Sequence, residues 1–273
     1  MADIVLSAGV RSNLLQLQKT SELITATQTK LATGKRVNSA LDNPVNFFTA
    51  QGLSNRASDL GSLLDNMSSA FNTIQAANNG ITSITKLVQS AQALVSQAQQ
   101  TSDTAIRSSL ATQFGEIVTQ IDQLAADSGF NGINLLDSTT STDLTVTLNE
   151  SGTSSVTIAA VDFSAAGDLN INNSANNWGG TADFTAASTD LTAALTTLRA
   201  QAQSFGSNLS TVQIRQDFTK AMINTLQTGA DALTLADSNE EGANLLALQT
   251  RQQLSTTALS LASQASQAVL RLF

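Results

Sequence analysis

The feature that most constrains this chain is an unbroken apolar series at alternating spacings of three and four residues. From Leu60 it runs Leu60, Leu63, Met67, Ala70, Ile74, Ala77, Ile81, Ile84, Val88, Ala91, Val95, Ala98, without a polar member. A seven-residue repeat sustained over this length places its apolar side chains on one stripe of a helix, and the stripe requires a partner helix. A second series supplies one: Leu191, Leu195, Leu198, Ala202, Phe205, Leu209, Val212, Gln216, Thr219, Ile223, Leu226, Ala230, Leu233, in which only Gln216 and Thr219 are polar. Leu63, Ile74, Ile81, Ile84 and Val88 from the first, with Leu198, Phe205, Leu209, Val212, Ile223 and Leu226 from the second, are the expected core. At about 1.5 Å per residue the first series alone spans roughly 60 Å, whereas a globule of this length has a radius of gyration of about 18 Å. The expected fold is therefore mainly α, an elongated antiparallel coiled-coil or helical-bundle rod. Asn79-Gly80 resembles a turn, but the apolar series continues on both sides, which argues for one helix through it. A mid-helix glycine costs only about 1 kcal/mol relative to alanine.

Both ends repeat the pattern more weakly. Val10, Leu14, Leu17, Ser21, Ile24, Gln28, Leu31 keeps the spacing with two polar members, and Ala247, Arg251, Leu254, Ala258, Leu261, Ala265, Ala268, Leu272 keeps it with one. Helices of this length with polar seam positions are marginal alone in water, so the apolar members are candidate self-assembly positions: Val10, Leu14, Leu17, Ile24, Leu31, Leu254, Ala258, Leu261, Ala265, Ala268 and Leu272. Turn formers separate each arm from its long helix. In the first turn Lys35, Arg36, Asn38 and Asp42 are candidate joint residues, and either Asp42 or Asn43 can cap a helix that begins at Pro44. Asp237, Glu240 and Glu241 suit the N-terminus of the last arm.

A third helix is expected over about Thr104 to Ala126, stopped by Asp127-Ser128-Gly129 and followed by the turn Phe130-Asn131-Gly132. The period then changes to two. Leu144-Thr145-Val146-Thr147-Leu148 and Val156-Thr157-Ile158 flank Asn149-Glu150-Ser151-Gly152 and read as a β-hairpin at about 143–160. The Asn, Gly, Ala and Ser rich stretch that follows reads as a small irregular excursion, with Trp178 as its hydrophobic anchor.

Composition narrows the function. The chain has no cysteine, histidine or tyrosine, so thiolate and imidazole chemistry, disulfides and zinc sites of the usual ligands are excluded. No catalytic, metal or cofactor residue is assigned. Thirteen bases face twenty-one acids, a net charge of −8, the wrong sign for nucleic acid. The imbalance is local: between Arg107 and Arg199 there are ten acids and no base, while the remainder carries 13 bases against 11 acids. No apolar run reaches the roughly 18 residues of a membrane span, and the acid in Met1-Ala2-Asp3-Ile4-Val5 argues against a cleaved signal.

Three motifs, in order, carry a family resemblance. Lys30-Leu31-Ala32-Thr33-Gly34-Lys35-Arg36-Val37-Asn38-Ser39-Ala40-Leu41-Asp42-Asn43 resembles the basic, glycine-containing segment of bacterial flagellins. Phe130-Asn131-Gly132-Ile133-Asn134-Leu135-Leu136 is similar to their FNGxxLL turn, and the stretch through Ala265 to Phe273 to their C-terminal helix. The resemblance covers roughly 1–160 and 190–273 and is to the short flagellins of α-proteobacteria.

That resemblance implies an extracellular filament subunit used for swimming, not an enzyme. It implies residues 1–43 with 237–273 as an inner terminal coiled-coil domain, 44–164 with 189–236 as an outer helical rod carrying the hairpin, and 165–188 as a shortened variable excursion. The implied partners are other copies of the chain, hook-associated junction and cap proteins, an export chaperone and the type III export apparatus. A hook–filament junction protein and a secreted coiled-coil adhesin are the alternatives. Metallopeptidase flagellins need a His-Glu-x-x-His motif, which this chain lacks. Gln89, Ser90, Ala91, Gln92 and Ala93 stand where many flagellins carry the Arg- and Glu-bearing patch read by Toll-like receptors, so the resemblance does not extend to that patch.

Overall fold

A computed structural model describes residues 8–172 and 175–270 of the chain. Its elements, in order, are α1 (Ala8–Thr33), α2 (Pro44–Gln100), α3 (Thr104–Asp127), β1 (Leu144–Thr147), β2 (Ser155–Ile158), a one-turn 3-10 helix (Ala175–Trp178), α4 (Thr181–Thr234) and α5 (Ser238–Leu270). The fold is mainly helical: α2 packs antiparallel to α4, α1 packs antiparallel to α5, and β1 and β2 form a small antiparallel hairpin. The chain divides into two compact units, Met1–Arg56 with Asn224–Phe273, and Ala57–Ile223.

Helix starts follow their caps. Asn43 accepts the Asn46 amide at 3.0 Å and so caps α2, leaving Asp42 free for the preceding turn. Asp103 caps α3 by accepting from Ala105 and Ile106, and Asp237 caps α5 by accepting from Asn239 and Glu240. These side chains satisfy amides that have no partner inside their helices. α4 begins at Thr181, ten residues ahead of the Leu191 series, within the stretch read as irregular. Asp183 accepts the Gly180 amide at 3.0 Å, and Phe184 anchors the first turn on Trp178. The apolar spacing misses this turn because its packing partner lies just outside the helix.

The core of the 57–223 unit is the seam of α2 closed by α3 and α4. Met67, Ile74, Ile81, Ile84 and Val88 are buried with Phe114, Val118 and Ile121 of α3 and with Leu198, Phe205 and Val212 of α4. Gly80 is where α2 meets the end of α3: a Cβ there would collide with Ser128 and Leu136. The helix therefore runs through Asn79-Gly80 because this glycine serves a close approach, not a turn. Asn134 ties the turn after α3 to that helix by donating to the carbonyls of Ala125 and Ala126. The hairpin pairs Leu144 with Ile158 and Val146 with Val156, with its threonines on the opposite side as the period of two requires. Trp178 is fully buried, edge-on to Phe114 at 5.2 Å and to Phe184 at 5.9 Å, and Arg107 lies 4.9 Å from the Phe184 ring centre.

Candidate assembly interface

The terminal helices meet along one stripe each. On α1 the side chains turned inward are Val10, Asn13, Leu17, Thr20, Ile24, Thr27 and Leu31. On α5 they are Glu241, Leu245, Leu248, Gln252, Ser255, Leu259 and Ala262. Both sets keep the three-four alternation of a coiled coil, yet they are rich in polar groups. Buried Thr20 satisfies its hydroxyl by donating to the Gln16 carbonyl at 2.9 Å. At one end Lys30 donates to Glu241 at 2.9 Å, with the glutamate side chain nearly enclosed.

On α1 this phase takes in most of the expected apolar series, whereas on α5 it leaves that series outside. Val10, Leu17, Ile24 and Leu31 are half-buried in the pair, whereas Leu14 is exposed. On α5, Leu254 is 67% exposed and Leu261 61%, and Leu246, Ala258 and Ala265 are exposed with them. The Ala268 side chain and Leu272 lie outside the described residues. Leu15 and Leu23 add exposed apolar surface on α1. An open groove of about 420 Å³, lined by Val10, Leu14, Thr256, Leu259, Ser260 and Ser263, runs between the two helices. Of the residues expected in the long-helix core, Ile74, Ile81, Ile84, Val88, Leu198, Phe205, Val212 and Leu226 are buried, and Leu63, Leu209 and Ile223 are half-buried. The heptad count passed over Leu41, Val45, Phe48, Ile214 and Phe218, all exposed, because exposed apolar residues that do not continue a seam leave no periodic signal.

The turn after α1 is stitched to the end of α4 by backbone. Lys35 bridges Leu235, the amides of Arg36 and Val37 donate to the Thr234 carbonyl, and the Ala236 amide donates to Gly34. Gly34 makes the turn with φ +67°, in the left-handed region. The Arg36 guanidinium reaches the Ala232 carbonyl at 3.1 Å, placing a cation at the C-terminal end of α4, where the helix dipole favours it. Asn38 donates its side-chain amide to the Lys35 carbonyl. Asp42 accepts the amides of Asn38 and Ser39, both at 2.9 Å. Those bonds to the ionised form, chiefly the Asn38 and then the Ser39 amide, hold its carboxyl below the usual carboxylate range.

Among the described residues no group of three or more acidic, histidine or cysteine side chains could hold a metal, and no helix is long and apolar enough to cross a membrane. A helical chain with paired ends, low charge and apolar stripes left facing outward is a structural protein that associates through helix packing. Its relatives specify which kind. The chain belongs to the bacterial flagellin family: it matches the bacterial flagellin N-terminal helical region over residues 8–141 and the C-terminal helical region over residues 181–273. It is 31% identical to flagellin FljK of Caulobacter vibrioides, across 98% of this chain and 97% of the relative. It is 27% identical to a flagellin of Brucella melitensis, across 100% and 99%. The crystal structure of Bacillus cereus flagellin shares the fold, with a TM-score of 0.50 and 21% identity over 56% of this chain and 88% of that one. The protein is thus a non-enzymatic subunit of the extracellular flagellar filament that serves motility, and it polymerises with copies of itself.

Proposed function

We propose that the terminal helices enter the filament through the stripe they leave exposed: Leu246, Leu254 and Leu261 of α5, with Leu14 of α1 at the edge of the groove. The observation that carries this reading is the phase of the pair, which turns Thr20, Thr27, Gln252 and Ser255 inward while Leu246, Leu254 and Leu261 stay exposed. Apolar surface so arranged gains its burial only against another helix. In this reading residues 1–43 and 237–273 form an inner coiled-coil domain, residues 44–164 and 189–236 an outer rod, and 165–188 a short variable excursion. Lys35, Arg36, Asn38 and Asp42 hold the joint. The outward stripe is also the surface offered to junction and cap proteins at filament ends, and to an export chaperone before passage through the type III apparatus.

Seeded polymerisation tests it. Leu254→Asp and Leu261→Asp alter exposed positions, so the monomer should keep its helix content and melting temperature. A charge on a packed stripe should raise the monomer concentration needed for elongation by about tenfold or more, since 1.4 kcal/mol is one decade. Elongation at the wild-type rate would remove the outward stripe from the interface.

A further inference from the structure

Gly80 has a steric reason within the chain for lacking a side chain, whereas Gly52, beside exposed apolar side chains, has none. A Cβ on Gly80 would collide with Ser128 and Leu136, whereas one on Gly229 would only touch Leu53 at an ordinary 3.4 Å. Gly52, near the start of α2, has nothing within 4 Å of the same position. Gly9, Gly61 and Gly206 are equally open, but among the described residues no strongly exposed apolar residue lies within a turn of them, and open Gly242 lies a turn from Leu246 of the α5 stripe already described. At Gly52, by contrast, Val45 and Phe48 lie seven and four positions before it, on the same face of α2. Val45 is 73% exposed and Phe48 64%, and Leu41, in the turn just before the helix, is 96% exposed. A helix carrying a glycine where alanine would be more stable, beside two uncovered apolar side chains, has the outline of a docking face: apolar knobs next to a gap where another backbone can come close.

We infer that Val45, Phe48 and Gly52, with Leu41, form a contact face for a second copy of this chain, separate from the α5 stripe. The inference rests on the reading of the chain as a filament subunit and adds a surface to it. Charge supports an uncharged partner surface: no charged residue stands between Asp42 and Arg56, and the Asp42 carboxylate is already held by two amides of its own turn. Size indicates how the face is used. Three such side chains offer on the order of 400 Å², about half of the roughly 800 Å² per partner in a stable specific interface. Alone, the face does not hold a dimer. It fits one of several contacts made at once by a subunit entering a polymer through unlike surfaces.

The test uses the full chain in two variants, Gly52→Leu and Phe48→Ser. Phe48 is largely exposed with its ring edge-on to neighbouring Phe47, and Gly52 has open space around it, so circular dichroism should report folded monomers. Gly52→Leu should melt at or above the wild-type temperature, because leucine is the better helix former. Both should elongate wild-type seeds at least about tenfold more slowly, and elongation within about twofold of wild type by both variants would overturn the inference. A photo-crosslinking residue at position 45 should join two copies within assembled filaments, and crosslinks confined to single chains would also overturn it. Leu254→Asp and Leu261→Asp probe the α5 stripe independently, so either surface can fail without the other.

Discussion

At the scale of single residues, two positions carry consequences that spacing alone does not convey. Gly80→Ala gains about 1 kcal/mol of helix propensity but drives a methyl into Ser128 and the fully buried Leu136. Ser128 cannot turn aside, because its hydroxyl is bound to the Leu124 carbonyl at 2.6 Å. Overpacking costs about 1–3 kcal/mol, so the clash should win and thermal unfolding should occur several degrees lower. An unchanged or higher melting temperature would mean that α3 yields at this crossing. Asp42 makes the second case. Its folded pKa is depressed, so its contribution to the turn is complete above the ordinary carboxylate pKa of about 4 and is lost as pH falls through the lower folded value. The Ser39 amide shift in NMR spectra should therefore hold steady from neutral pH to about pH 4 and move below it. In Asp42→Ala the low-pH position should appear at every pH. The motif at 30–43 marked this turn as important, but which atoms Asp42 holds depends on Gly34 folding the turn back onto Thr234 and Leu235.

At the scale of elements, helix existence was legible and helix phase was not. The unbroken series from Leu60 to Ala98 demands a buried stripe because each of its members is apolar, and α2 buries Met67 to Ala98 accordingly. The terminal helices contain more leucines than one seam can take. A count that selects the most apolar series selects the stripe with Leu254 and Leu261, whereas α1 and α5 close on the neighbouring stripe with Leu245, Leu248 and Leu259. That choice depends on the partner helix, where Thr20, Thr27 and Lys30 face it, and on the pairing of Lys30 with Glu241. The start of α3 provides a clean test of element-level control, because Asp103 supplies its cap and Arg107 bonds back to the Thr101 carbonyl at 2.8 Å. Asp103→Ala should cost about 1 kcal/mol, seen as a lower urea midpoint with unchanged slope. No shift in the midpoint would mean that the α2–α3 turn is held by packing alone.

At the scale of the whole molecule, stability should be uneven. The 57–223 unit encloses a continuous core of large side chains, while the pairing of α1 with α5 buries mainly threonines and half-covered leucines. Limited proteolysis of the monomer should therefore trim both ends and leave a core of about residues 45–235. The same digestion of filaments should spare the ends, since association stabilises what it buries. Ends that resist protease in the monomer would show that the helix pair is stable without a neighbour. The acidic stretch between Arg107 and Arg199 belongs to this scale too, because ten acids without a base repel the same stretch on another copy. By itself, the sequence determined that the chain is helical with a small hairpin, that chemistry through cysteine or histidine is absent, and that the family is flagellin. Periodicity, composition and motif order are local properties and survive without a fold. Only the tertiary structure decided which of two adjacent stripes α5 buries, where α4 begins, why Gly80 must lack a side chain, and which apolar residues remain uncovered. Each of those depends on what approaches from elsewhere in the chain, and a repeat of seven is equally satisfied by either phase.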